Sequence, residues 1–168
     1  GYILIDTGGS NKCTELEKEL EIVDGGSTDN SVEIINKYKH RLAWFVSEKD
    51  NGQSDAINKG MRRASGEYIA WLNSDDLFTE NAVSRAVAAL QAHPECGFVF
   101  ANVLSIDAQS DIFNTMIYDN WGLRDLMQFK IIGQPSIFMR QKALQEADYL
   151  DETSIYLMDH HLWLKIAA

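Results

Sequence analysis

Short apolar runs alternate along this chain with stretches in which apolar residues recur every three or four positions. That rhythm predicts strands alternating with helices. Leu20-Glu21-Ile22-Val23 forms a short strand that stops at Asp24-Gly25-Gly26. Asn30-Ser31-Val32-Glu33 has the spacing of a capping box, and Val32, Ile35 and Tyr38 share one face of the helix it opens. Residues 42–46 read as a second strand, followed by the polar segment 47–52. A helix over 54–64 turns Ala56, Ile57, Gly60, Met61 and Ala64 inward, with Gly66 as its stop signal. A strand at 68–72, a helix at 81–93 and a strand at 98–101 follow. Beyond Asn102 the pattern weakens: 136–139 reads as a strand and 159–167 as a helix with Leu162, Trp163 and Ile166 inward.

Strands separated by helices of this length imply right-handed crossovers, hence an α/β fold with a mostly parallel sheet flanked by helices. Such sheets bind ligands beyond the carboxyl ends of their strands. Three polar stations fall there: Asp24-Gly25-Gly26, the segment after Val46, and Asp75-Asp76.

Composition narrows the classes. The 168 residues suit one domain, 1–168, with no repeats or linkers. A net charge of −10 with scattered basic residues argues against nucleic acid as a partner, because phosphate backbones are held by clustered Lys and Arg. Cys13 and Cys96 lack metal-ligand spacing and read as reduced thiols. No apolar run is long enough to span a membrane and no secretory signal opens the chain, so the expectation is a cytoplasmic domain, with membrane association only through segments outside it.

The candidate chemistry lies in the acids and glycines. Adjacent carboxylates at Asp75 and Asp76 repel each other unless solvent or a cation relieves them, and a hard divalent ion takes one or two carboxylates plus substrate phosphates. A solvated turn whose aspartate caps the next helix explains the pair equally simply. In Asp24-Gly25-Gly26-Ser27-Thr28-Asp29, the glycines permit close approach of a ligand and the polar side chains can bond a base or ribose; a tight strand-to-helix turn is the plain alternative. Neither this stretch nor Thr7-Gly8-Gly9-Ser10-Asn11-Lys12 fits a P-loop or a dinucleotide fingerprint.

Four segments together resemble the family 2 glycosyltransferases, whose nucleotide-sugar domain has the GT-A fold. They are 23–31, 50–60, 65–76 and Met158-Asp159-His160-His161-Leu162-Trp163, in the family's order and spacing. The resemblance implies transfer of a sugar from a nucleoside-diphosphate sugar to a glycan or lipid-linked acceptor hydroxyl, with inversion, in polysaccharide synthesis. It implies a divalent metal, Mn²⁺ or Mg²⁺, on Asp76 and Asp75 near the ribose and diphosphate. Asp24, Gly25 and Ser27 would line the nucleoside pocket, and Asp159 would be the catalytic base. Asp55 would line the donor site or simply pair with Lys59 one helical turn away. Gln134 and Trp163 are candidate acceptor contacts; a turn into a strand and a core tryptophan are the alternatives. His160 and His161 would reach substrate or lie on the helix surface.

Three departures bear on the assignment. Many relatives carry a second aspartate where this chain has Gly25, which removes a contact to the base. Residues 1–7 resemble the helix that follows the family's first strand, so that strand and the C-terminal end of the domain are expected to be missing. The rival readings are a non-catalytic nucleotide- or carbohydrate-binding relative and a sugar nucleotidyltransferase; the latter needs a basic glycine-rich loop that is not visible.

Overall fold

The computed structural model describes residues 2–7 and 20–168; the candidate loop at 8–12 and Cys13 lie outside the described residues. Six strands form the main sheet in the order β3-β2-β1-β4-β8-β5: β1 (Tyr2–Thr7), β2 (Leu20–Asp24), β3 (Trp44–Ser47), β4 (Tyr68–Asn73), β5 (Phe98–Val99) and β8 (Phe138–Arg140). Strands β2, β3, β4 and β5 run one way and β1 and β8 the other. The expectation of a mostly parallel sheet therefore holds for strand direction but not for pairing: β2 and β3 are parallel neighbours, and the remaining neighbouring pairs are antiparallel.

Residues 2–7 correct the expectation of a helix. They form β1, hydrogen-bonded between β2 and β4. A short apolar run carries no periodicity that separates strand from helix, and the sheet decides it.

Strand β4 is buried on both faces, which is why Tyr68 to Leu72 reads as an unbroken apolar run. Ile69 and Trp71 face a core built by Ile57 and Met61 of α2 (Gln53–Arg63), Leu126 of α4 (Leu123–Met127), Leu144 of α5 (Gln141–Glu146), and Leu162 and Trp163 of α6 (Met158–Ala167). Tyr68 and Ala70 face the opposite layer, where Leu90 of α3 (Ala82–Ala92) packs with Phe138. All five inward positions expected of α2 are buried. Its end differs: Ala64 leaves the helix in an extended conformation, before Gly66 is reached.

Helix α1 (Ser31–Tyr38) is more superficial than expected. It has no buried residue, and Tyr38 is exposed. Its capping box is not formed either: Asn30 makes no side-chain cap, and Asp29 Oδ1 instead accepts the Ser31 N–H at 2.9 Å. Between β5 and α4 lies an unforeseen hairpin, β6 (Val103–Ile106) with β7 (Ile112–Met116). Cys96 is a free thiol. Among the described residues, no helix is long and apolar enough to cross a membrane.

Candidate active site

The carboxyl ends of β2, β3 and β4 carry the three polar stations. At the end of β2, Asp24 is fully buried. The parallel register places Ser47 directly opposite it, and Ser47 Oγ donates to Asp24 Oδ2 at 2.7 Å. The backbone N–H groups of Gly26 and Ser27 donate to the same oxygen at 3.2 and 3.0 Å, and Ser27 Oγ donates to Oδ1. Burial pushes the Asp24 carboxyl up, but the hydrogen bonds from Ser27, Ser47 and the two N–H groups outweigh it and hold it below its ordinary range. Asp24 and Ser27 thus bond each other and build the turn. In this turn Gly25 is half-buried and Gly26 exposed, the latter at φ +85°, a conformation that favours glycine.

The loop after β3 is organised around Asp55. Asp55 Oδ2 accepts from the Asn51 backbone N–H at 2.9 Å and from Asn51 Nδ2 at 3.1 Å. The expected pairing of Asp55 with Lys59 is not formed: Lys59 Nζ meets Glu48 Oε1 at 2.5 Å. That hydrogen bond raises the Lys59 pKa against a smaller opposing effect of burial, with the charges of Glu48, Asp55 and Asp50 adding to the rise.

At the end of β4, Asp75 is exposed and Asp76 half-buried. The Asp76 N–H closes a turn onto the Asn73 carbonyl at 3.1 Å, and Asn73 Nδ2 donates to Asp76 Oδ2 at 3.2 Å. Burial pushes the Asp76 carboxyl up, the neighbouring Asp75 charge adds to the rise, and the Asn73 amide opposes it. A cation would relieve both unfavourable contributions. Among the described residues no group of three or more His, Cys, Asp and Glu side chains converges. The donor set at 75–76 therefore suits an ion that completes its shell with phosphate and water oxygens rather than a closed protein cage.

Asp159 stands in the first turn of α6 and lines a cavity of about 250 Å³ with Gln53, Trp71, Asn73, Gln134 and residues 155–158. The cavity joins two separated segments: Asn73, which bonds Asp76, and Asp159, 86 residues later, share one wall. Gln134 reaches this cavity, but its Nε2 is committed to the Trp71 carbonyl at 2.8 Å.

Two expectations for α6 are corrected. Trp163 is fully buried and stacks on Trp71, so it backs the cavity wall and does not offer a floor to an acceptor. His160 is not a surface residue: it is 1% exposed, stacks on Phe129 and places Nε2 3.1 Å from the Leu126 carbonyl. His161 is exposed. Sequence reasoning missed Asn58. Completely buried, it exchanges hydrogen bonds with the Leu150 carbonyl (2.9 Å) and N–H (3.0 Å) and donates to Glu152 (2.9 Å), tying α2 to the segment that leads into α6. It also missed Tyr156, 81% exposed at the cavity rim.

The family model for glycosyl transferase family 2 matches residues 7–161. The chain belongs to this family. It is 33% identical over 88 residues to the poly-beta-1,6-N-acetyl-D-glucosamine synthase of Staphylococcus epidermidis, an alignment covering 51% of this chain and 21% of that protein. The fold matches that of S. aureus TarS in complex with UDP, with TM-score 0.67 and 21% identity over 88% of this chain and 45% of that one. It also matches a Pyrobaculum calidifontis mannosyltransferase in complex with GDP-Man and Mn²⁺, with TM-score 0.64 and 21% identity over 88% of this chain and 42% of that one. The family 2 chain thus has the GT-A fold of these glycosyltransferases, and spans less than half the length of each of these three relatives.

Proposed function

We propose that this chain carries the donor and catalytic site of a glycosyltransferase that moves a sugar from a nucleoside-diphosphate sugar to an acceptor hydroxyl. The observation that supports it is the shared cavity, which brings Asp159 to the end of the strand that continues into Asp75-Asp76. In this reading Asp76, with Asp75 beside it, holds a divalent cation, and the glycine turn at 25–26 receives the nucleoside. Such a cation, when bound, neutralises charge on the departing diphosphate.

Asp159 accepts the proton of the acceptor hydroxyl as that oxygen bonds to the anomeric carbon, while the carbon–diphosphate bond breaks on the opposite side. The anomeric configuration is thereby inverted. The complexes of TarS with UDP and of the mannosyltransferase with GDP-Man and Mn²⁺ support a nucleoside-diphosphate sugar as donor and the same ion here. The acceptor class is a glycan or lipid-linked glycan, and the compartment is the cytoplasm, where such donors are supplied.

The test is release of nucleoside diphosphate from UDP-GlcNAc, UDP-glucose and GDP-mannose, with and without Mn²⁺, on the chain and on Asp159→Asn. Turnover of one donor that needs Mn²⁺ and falls by about 10²–10⁴ in the variant is expected. Donor binding without turnover in either protein would identify a non-catalytic relative instead.

A further inference from the structure

Two bulky apolar residues beside Asp159 hold a backbone conformation that side chains of their kind rarely adopt. Phe129, just past α4, sits at φ +60°, and Leu157, immediately before α6, at φ +53°. Neither uses the conformation to bury itself: Phe129 is 69% exposed and Leu157 44%. Ile155 and Tyr156 are more exposed still. All four adjoin the cavity that holds Asp159. Ile155, Tyr156 and Leu157 line it, and the Phe129 ring stacks on His160, the residue after Asp159, with centroids 5.7 Å apart. Side-chain bonds shape the segment that leads there: Asp151 Oδ1 accepts the Thr153 N–H at 2.8 Å, and Ser154 Oγ donates to the Tyr156 carbonyl at 2.9 Å. The four residues make an uncharged apolar collar beside the mouth of the site. Backbone strain of this kind clusters at functional sites, and exposed apolar surface marks what a partner covers.

We propose that the collar receives an apolar aglycone of the acceptor, so that the substrate is a short polar head joined to an aliphatic chain. This inference deepens the transferase reading given above and rests on it. Position selects the occupant. A second protein seated on the collar would obstruct the cavity through which a hydroxyl reaches Asp159, whereas an aglycone enters with the hydroxyl it carries. Side-chain chemistry selects its kind. A glycan could stack on Phe129 and Tyr156, but Ile155 and Leu157 gain only by removing apolar surface from water. Two polar groups that could bond sugar hydroxyls at the rim are committed, Ser154 Oγ to the Tyr156 carbonyl and Gln134 Nε2 to the Trp71 carbonyl. The cavity itself, about 250 Å³, is small for an oligosaccharide, so the head between hydroxyl and chain is short.

The experiment is ligand-observed NMR titration of octyl β-D-glucopyranoside (below its micelle concentration), methyl β-D-glucopyranoside and maltotriose. The proteins are the wild-type chain, Phe129→Asn, and Ile155→Ser combined with Tyr156→Ser. Asparagine suits the left-handed backbone at 129, and the side chains at 155 and 156 are exposed, so these substitutions spare the core. The octyl glycoside is expected to bind the wild type at least about tenfold more tightly than the methyl glycoside, since each buried methylene is worth about fourfold. That advantage should fall by about tenfold in the double variant and by a smaller factor in Phe129→Asn. Equal binding of the two glycosides, tighter binding of maltotriose, or an octyl advantage that survives in both variants would overturn the proposal. Sedimentation velocity on the same samples covers the rival occupant: self-association that the variants abolish would assign the collar to a second copy instead. Titration of UDP, GDP and dTDP with Mn²⁺ follows the donor site separately. Nucleotide binding without the octyl advantage ends this proposal alone, and an octyl advantage without binding of any nucleotide removes the donor-site reading and the acceptor role together.

Discussion

Trp163 lies against Trp71 with ring centroids 5.3 Å apart and planes 27° from parallel, both rings buried. Trp71 lines the cavity that holds Asp159, so Trp163 supports the site from behind. Truncation to alanine should cost about 3–5 kcal/mol in denaturant unfolding, the range for removing a core aromatic ring. Trp163→Phe should cost less. A Trp163→Phe protein of unchanged stability whose acceptor KM rises would contradict the packing role.

The four donors on Asp24 make a specific acid dependence. Its native carboxyl titrates below the unfolded value of about 3.9, so its stabilising contribution is full above that pH and is lost as the pH falls through the native value. Asp24→Asn should lower stability at pH 7 by about 1–3 kcal/mol, since an amide cannot accept from all four donors. The variant's stability should also change less than the wild type's below about pH 4. Urea unfolding across pH reads both effects.

Asn58 fixes the segment at 150–152 from below. Asn58→Ala leaves the Leu150 N–H and carbonyl without these partners, at a cost of about 1–3 kcal/mol. The unfolding midpoint should drop by roughly 2–4 °C for each kcal/mol. Hydrogen exchange at the Leu150 amide should quicken, which a purely global destabilisation would not confine to that segment.

Some of this architecture is legible in sequence because burial leaves a periodic trace. Strand β4 and the inner face of α2 are examples: both are enclosed, and their apolar spacing says so. The hairpin β6–β7 leaves no such trace, because β7 is exposed at every position. Its turn is set by Asp107 Oδ1 accepting from the N–H groups of Gln109 and Asp111. The acids at 24, 75, 76 and 159 stand out as motifs. Spacing shows the inward turn of Leu162 and Trp163, but it could not show that of His160, since a polar residue leaves no apolar trace when it is buried. Nor could it pair Gly25 with Asp50, which meet through the parallel register of β2 and β3.

The carboxylates at the end of β4 test the account most directly. Asp76→Asn removes the carboxyl's burial cost and the Asp75–Asp76 repulsion, so in metal-free buffer the variant should be at least as stable as the wild type. The decisive measurement is thermal unfolding of both proteins with UDP, GDP or dTDP, with and without Mn²⁺. A nucleotide at 100 times its dissociation constant adds about 2.7 kcal/mol, a shift of roughly 5–11 °C at this size. A shift in the wild type that needs Mn²⁺ and a nucleotide together, and vanishes in Asp76→Asn, is the predicted result. An equal shift in the variant, or no Mn²⁺-dependent shift with any nucleotide, would contradict a metal-dependent donor site at Asp76.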